Sequence, residues 1–164
     1  MITTYIGVGS NIERKKHVEI ALKELCQLGQ ELKLSTIYEC EPVGFKSDAF
    51  YNLVVEMKTR LELRDFSQAL RTIERAWGRE ENAQKFQPRT IDLDIILFGD
   101  MVSENSPEIP RSDIYKYPFV IQPLYELCPE RIIPKDGRTV QQIWQNTKQL
   151  DSLIPVELWF DINA

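Results

Sequence analysis

The order in which the hydrophobic pattern switches between a period of two and a helical period constrains the fold of this chain most strongly. Four segments are rich in β-branched and aromatic residues or alternate in polarity, and two carry apolar residues at helical spacing. The predicted strands are residues 2–8, 32–38, 51–60 and 90–98, and the predicted helices lie around 18–26 and 66–77. Gly9–Asn11 is interpreted as a turn after the first strand. This βαββαβ order predicts an α+β, ferredoxin-like core, with an antiparallel sheet, both helices on one face and the other face free.

The segment after the last core strand carries weaker signals. Pro107 and Pro110 indicate a loop. Short helices are predicted at 119–127 and 140–144, followed by a final strand at 156–160. We therefore expect a C-terminal extension of short helices and a strand beside the core.

Composition limits the class of protein. The 164 residues are 43% apolar, which suits one core, so we expect a single domain over 1–164. Cys26, Cys40 and Cys128 form no CxxC pair and His17 is the sole histidine, which indicates a reduced protein without zinc. The sequence shows no signal peptide or membrane span, so a cytoplasmic monomer without membrane partners is expected. A net charge of -5 argues against nucleic acid as a partner.

A pair of carboxylates is the strongest chemical feature. In the strand 90–98, Asp92 and Asp94 project from one face. The other face is predicted to carry the apolar residues Ile91, Leu93, Ile95 and Leu97. Positions two residues apart are separated by about 6.5 to 7 Å, so two such carboxylates can converge on Mg²⁺. The alternative is an ordinary solvated strand face.

Cations cluster just before this pair. Arg79, Lys85 and Arg89 lie within one loop of an otherwise acidic protein. Guanidinium groups match phosphate oxygens, and Mg²⁺ with arginine is common in phosphoryl transfer. Alternatively, Arg75 and Arg79 only pair with neighbouring glutamates. We accept that alternative for Arg75, whereas Arg89, three residues before Asp92, favours a phosphate site.

Four segments carry a family resemblance. They are YIGVGSN (5–11), EPVGFKSDAFYN (41–52), PRTIDLDIILFGD (88–100) and FVIQPLYELCPE (119–130). In this order they span nearly the whole chain, and PR-x-x-DLDI is a specific signature. The chain resembles the 6-hydroxymethyl-7,8-dihydropterin pyrophosphokinases of folate biosynthesis, whose ferredoxin-like core agrees with the predicted order of elements.

The resemblance implies an activity and a cofactor. Such an enzyme transfers pyrophosphate from ATP to the hydroxymethyl oxygen of the pterin and releases AMP. The resemblance implies two Mg²⁺ ions with ATP bound, held by Asp92 and Asp94. It assigns the catalytic roles to four residues: Arg79, Arg89, Asp92 and Asp94.

The resemblance also implies two sets of substrate contacts. Those to the pterin are Pro42, Val43, Gly44, Phe50, Asn52 and Phe119. Those to ATP are Glu74, Arg79, Arg89, Ile95, Arg111 and Lys116. An amide can pair with the edge of the pterin ring and aromatic rings can sandwich it. From the residues alone, an asparagine on a strand such as Asn52 more often bonds to a loop, and Phe119 could belong to the core.

Departures from the family pattern concern the ATP contacts. Arg111 replaces a histidine, Tyr117 stands at an arginine position, and Glu81 reverses the charge of a basic position. Phe86 and Gln87 replace the tryptophan and glycine before PR. These departures motivate an alternative, a catalytically weak or inactive paralogue that binds pterin or nucleotide. An RNA-binding sheet is a third alternative, which the acidic charge and the missing aromatic-basic motif disfavour.

Overall fold

An antiparallel sheet forms the centre of the structure. The computed structural model describes residues 1–41, 48–78 and 90–162. Within these ranges the strands are β1 (Ile2–Ser10), β2 (Gln30–Leu34), β3 (Ile37–Cys40), β4 (Phe50–Thr59), β5 (Asp92–Phe98) and β6 (Ile154–Val156). They lie in the order β5-β1-β4-β3-β6. β2 and β3 pair with the same side of β4, β2 with its C-terminal part and β3 with its N-terminal part. The antiparallel pairing of β5, β1 and β4 confirms the predicted α+β fold.

Two helices cover the first face of the sheet. They are α1 (Arg14–Leu25) and α2 (Leu63–Ala76). In α2, Phe66, Leu70 and Ile73 are buried at positions i, i+4 and i+7, which is the stripe that a helix needs to pack on a sheet. The main core joins both helices to β1, β4 and β5 through residues that include Ile6, Val18, Leu22, Val55, Phe66 and Leu93.

The second face is partly covered, so the prediction that it stays free is wrong. The predicted C-terminal helices are present as α3 (Pro118–Leu127) and α4 (Val140–Gln145). Their apolar side chains form a second cluster with the sheet, whose members include Tyr5, Val54, Ile96, Leu97, Ile121, Leu124 and Val140. In the described ranges no helix is long and apolar enough to cross a membrane. A part of this face beside α3 is left open.

A bulge in β5 changes the predicted alternation. The pairing with β1 shifts between Tyr5 and Ile6, so that Tyr5 lies opposite Leu97 and Ile6 opposite Ile95. Ile96 is the additional residue. The prediction that Leu97 faces the main core is therefore wrong, because the bulge turns its side chain to the second cluster.

A second irregularity divides the predicted strand 32–38 into β2 and β3. The N–H of Ser35 donates to the carbonyl of Val54, and the Ser35 hydroxyl accepts the N–H of Val54 at 2.9 Å. The side chain thus takes the place of a backbone acceptor, and the ladder is interrupted. Tyr38 then packs beside Phe119, whereas Leu34 packs against the main core.

The final strand is shorter and earlier than predicted. β6 ends at Val156, because its partner β3 offers only Ile37–Glu39 for pairing. Trp159 and Phe160, which belonged to the predicted strand, instead pack against the edge of the main core.

Candidate active site

A pocket lies on the open part of the second face. Strands β1, β4 and β5 form its floor, and the chain between Arg111 and Val120 forms its wall. It encloses about 370 Å³, including its open mouth. Its lining includes six residues that matter below: Gly9, Asn52, Asp92, Asp94, Arg111 and Phe119.

Two glycines bring the carboxylates into this pocket. In the ladder between β1 and β5, Asp92 lies opposite Gly9 and Asp94 opposite Gly7. Because both positions of β1 lack a side chain, the floor stays open from the aspartates to Asn52 on β4. A Cβ on Gly9 would lie 2.8 Å from Oδ1 of Asn52. The prediction of a turn at Gly9 is wrong, since β1 continues to Ser10.

The environment of Asp94 disfavours its ionised form. Burial and the nearby charge of Asp92 raise the pKa of Asp94 to about 7, against the opposing effect of Arg111. A divalent cation between the two carboxylates would remove this repulsion. Within 1–41, 48–78 and 90–162, no three His, Cys, Asp or Glu side chains are grouped to hold a metal. Two carboxylates suit Mg²⁺, which keeps water and phosphate ligands.

Arg111 forms the cationic wall of the pocket. Its Nη2 lies 3.6 Å from Oδ1 of Asp94, and its Nε donates to Oδ2 of Asp113 at 2.8 Å. Its backbone N–H donates to the carbonyl of Ile96 at 3.0 Å, which fixes this segment to the outer edge of β5. The structure thus brings the predicted residue Arg111 to the carboxylates.

The pocket also contains two of the predicted pterin residues. Asn52 and Phe119 both line it, as Arg111 and Asp113 do. The ring of Phe119 stacks on that of Tyr117, with centroids 5.0 Å apart and an angle of 17°. Phe50 follows the same face of β4, and its ring approaches Gly9. An amide beside a half-buried aromatic ring is suited to a flat heterocycle.

Three of the predicted ATP residues lie elsewhere. Glu74 is buried on α2, where Oε2 accepts the N–H of Leu93 and Oε1 pairs with Arg71. Ile95 is buried in the main core, because it alternates with Asp94 along β5. Lys116 lines a separate depression beside α4.

Several predicted residues fall outside the described ranges. They are Pro42, Val43, Gly44, Arg79 and Arg89, together with Glu81, Lys85, Phe86 and Gln87. Two groups that line the pocket were missed by the sequence analysis. Asp113 gave no signal, whereas Gly7 and Gly9 did, since glycines two apart within a strand mark a close approach on one face.

The comparisons with known proteins agree with this geometry. A family described as 7,8-dihydro-6-hydroxymethylpterin-pyrophosphokinase matches residues 5–129. Proteins named 2-amino-4-hydroxy-6-hydroxymethyldihydropteridine pyrophosphokinase are similar to the chain. The protein from Bacillus subtilis is 31% identical, covering 93% of this chain and 96% of that protein. The protein from Aquifex aeolicus is 34% identical, covering 82% and 85%.

A solved structure gives the same fold. A Plasmodium falciparum HPPK-DHPS triple mutant aligns with a TM-score of 0.70 at 14% identity, covering 88% of this chain. The chain spans 44% of that protein. The resemblance inferred from the motifs is confirmed by the family match and by relatives above 30% identity over most of their length. The chain belongs to the 7,8-dihydro-6-hydroxymethylpterin-pyrophosphokinase family.

Proposed function

We propose that the chain transfers pyrophosphate from ATP to 6-hydroxymethyl-7,8-dihydropterin, giving the pterin diphosphate and AMP in folate biosynthesis. The observation that carries this proposal is one pocket that contains Asp92 and Asp94 together with Asn52 and Phe119. A flat heterocycle bound by the amide and the ring lies next to carboxylates that suit a phosphate-bound metal. The names of the relatives give the same enzyme.

The protein's part in this reaction is to position two substrates. Asn52 pairs with the donor and acceptor edge of the pterin, and Phe119 packs on its face. The pterin hydroxyl oxygen then forms a bond to the β-phosphorus of ATP. The bond from that phosphorus to the oxygen of the α-phosphate breaks, AMP leaves with this oxygen, and the hydroxyl proton is released. No protein nucleophile is required.

The charge that develops is offset by cations. Asp92 and Asp94 would hold the two Mg²⁺ ions, which would supply positive charge against the triphosphate. Arg111 supplies a guanidinium beside the same carboxylates. From the resemblance we add Arg79 and Arg89 as phosphate contacts, and Pro42, Val43 and Gly44 as the pterin loop. The burial of Glu74 and Ile95 and the position of Lys116 do not support them as ATP contacts.

A weak or inactive paralogue is the second candidate. It is favoured by Tyr117, which stands at a basic position of the family and stacks on Phe119 instead of offering a charge. Such a protein would bind pterin without releasing AMP.

One assay separates the two candidates. The purified protein is mixed with ATP, Mg²⁺ and 6-hydroxymethyl-7,8-dihydropterin, and AMP is quantified by chromatography. We expect AMP that depends on the pterin. Pterin binding without AMP would select the paralogue, and AMP that forms equally without pterin would indicate a different reaction.

The glycine in the pocket floor gives a specific prediction. In Gly9→Ala the new methyl group displaces the side chain of Asn52, so pterin affinity should fall about tenfold, the equivalent of one lost hydrogen bond. Fluorescence titration with pterin measures this, and thermal melting checks the fold. Asn52→Ala should show a similar loss, and the double variant should show no further loss. Unchanged affinity in Asn52→Ala would exclude Asn52 as a pterin contact.

We further propose that residues 1–164 act as one domain and as a cytoplasmic monomer that does not bind nucleic acid. The net charge of -5 supports the last point. Sedimentation at working concentration tests the oligomeric state, and a species of twice the mass of 19.2 kDa would contradict it.

A further inference from the structure

Arg111 is held between two carboxylates with unequal strength. The contact to Asp113 is a hydrogen bond of 2.8 Å, whereas the contact to Asp94 is an ion pair at 3.6 Å. The side chains of Arg111, Asp94 and Asp113 are 29%, 27% and 16% exposed, so all three are partly screened from water. The guanidinium is thus held firmly by Asp113 and only weakly by Asp94.

The pocket that contains Arg111 is lined by several carboxylates. Among the described residues, the three carboxylates of Asp92, Asp94 and Asp113 line it together with the guanidinium of Arg111. The guanidinium reduces the repulsion between the two aspartates of β5 when no other cation is near. A divalent cation that binds Asp94 has to replace this interaction, and it meets the positive charge of Arg111 at short range.

The backbone limits how far Arg111 can move. Its N–H is bonded to Ile96 on β5, and its Nε is bonded to Asp113 two residues along the chain. The terminal nitrogens can therefore leave Asp94 by a small rotation while the side chain stays at the pocket wall. A histidine at this position, as in the family pattern, would have neither this reach nor this permanent charge.

We propose that Asp113 is a positioning residue that controls the strength of the ion pair between Arg111 and Asp94. By holding Nε, Asp113 keeps the guanidinium loosely paired with Asp94, so that a divalent cation can displace it. The displaced guanidinium remains beside the metal-bound phosphates. This inference rests on the metal site in the proposed function, because it concerns competition for Asp94.

Metal binding without nucleotide tests the inference directly. Mn²⁺ serves as the probe, and isothermal titration calorimetry measures its affinity for the nucleotide-free protein. In Arg111→Gln the competing charge is gone, so Mn²⁺ should bind about three- to tenfold more tightly than in the unmodified protein. In Asp113→Asn the neutral amide holds the guanidinium less strongly than the carboxylate does. Arg111 should then pair more closely with Asp94, so Mn²⁺ should bind more weakly by a similar factor.

The double variant separates positioning from direct charge effects. If Asp113 acts through Arg111, then Asp113→Asn has no further effect in the Arg111→Gln background. An equal loss of Mn²⁺ affinity in both backgrounds would show that Asp113 acts on the metal directly, and would overturn the inference. Unchanged affinity in Arg111→Gln would also overturn it.

Two further variants complete the design. Lys33→Gln removes one positive charge from an exposed lysine on β2, and it should leave Mn²⁺ affinity unchanged. Asp94→Ala provides the blank. Binding that survives in Asp94→Ala, or no binding to any variant, would overturn the metal site and this inference with it. If Mn²⁺ affinity is unchanged in Arg111→Gln but lost in Asp94→Ala, the inference is overturned and the metal site stays intact.

Discussion

Replacing Asp94 with alanine is expected to lower pterin-dependent AMP formation by about a thousandfold or more, a typical scale for losing a metal or an electrostatic centre of a phosphoryl-transfer site. The reason is local. Asp94 lies opposite Gly7 in the pocket floor, within 3.6 Å of Arg111 and on the same face as Asp92. Without its carboxylate, the pocket lacks half of the anionic pair that suits Mg²⁺. The rate of AMP release at saturating substrates is the measurement.

The fold of this variant should be intact, because burial and like charge already disfavour ionised Asp94. Thermal melting should show no loss of stability. Asp100→Ala is the matched control, since this exposed aspartate follows the same strand and pairs only with Arg131 among the described ion pairs. Its AMP formation should stay near that of the unmodified protein. Near-normal turnover in Asp94→Ala would refute the metal-assisted mechanism.

Glu74→Ala is expected to lower the free energy of unfolding by about 2 to 4 kcal/mol. The side chain is 1% exposed. It accepts the N–H of Leu93 at 2.8 Å and pairs with Arg71 at 2.5 Å, while Arg71 donates to the carbonyl of Leu93 at 2.7 Å. Removing the carboxylate leaves a buried N–H without this acceptor and weakens the hold on Arg71. Urea denaturation measures the change.

A neighbouring position provides the control. Gln68→Ala shortens an exposed side chain of the same helix, and it should change stability by less than about 0.5 kcal/mol. The family resemblance predicts a different result for Glu74, namely weaker ATP binding with unchanged stability. A Glu74→Ala protein that melts normally but needs more ATP would support that prediction and contradict the structural role.

The sequence predicted the fold correctly where the position of a residue in a regular strand or helix determines which way its side chain points. The alternation in β5 predicted that Asp92 and Asp94 share a face, and periodicity predicted a helix over 66–77, where α2 lies. Alternation failed at the bulge near Ile96, because an extra residue in a ladder depends on the pairing partner and leaves no local mark. The Ser35 irregularity has the same origin, since its hydroxyl acts only once β4 is adjacent.

The candidate site shows a similar division. Motifs predicted that Asn52, Phe119 and Arg111 lie near the carboxylates, and all line the pocket. The motifs could not distinguish a residue that touches a ligand from one that supports the strand bearing the ligands. Glu74, predicted as an ATP contact, is bonded to Leu93 and Arg71 in the structure. Asp113 stands outside every motif quoted, and only the contact to Arg111 identifies it.

The hydrogen bonds between α2 and β5 also affect how copies of this protein meet. β5 is an outer strand of the sheet, and an outer strand offers backbone groups that can pair with another chain. Glu74 and Arg71 occupy both backbone groups of Leu93, and the N–H of Arg111 occupies the carbonyl of Ile96. The strand that carries the aspartates is thereby closed to a foreign strand. Glu74 and Arg71 thus support the strand that bears the site and also protect its outer edge against aggregation.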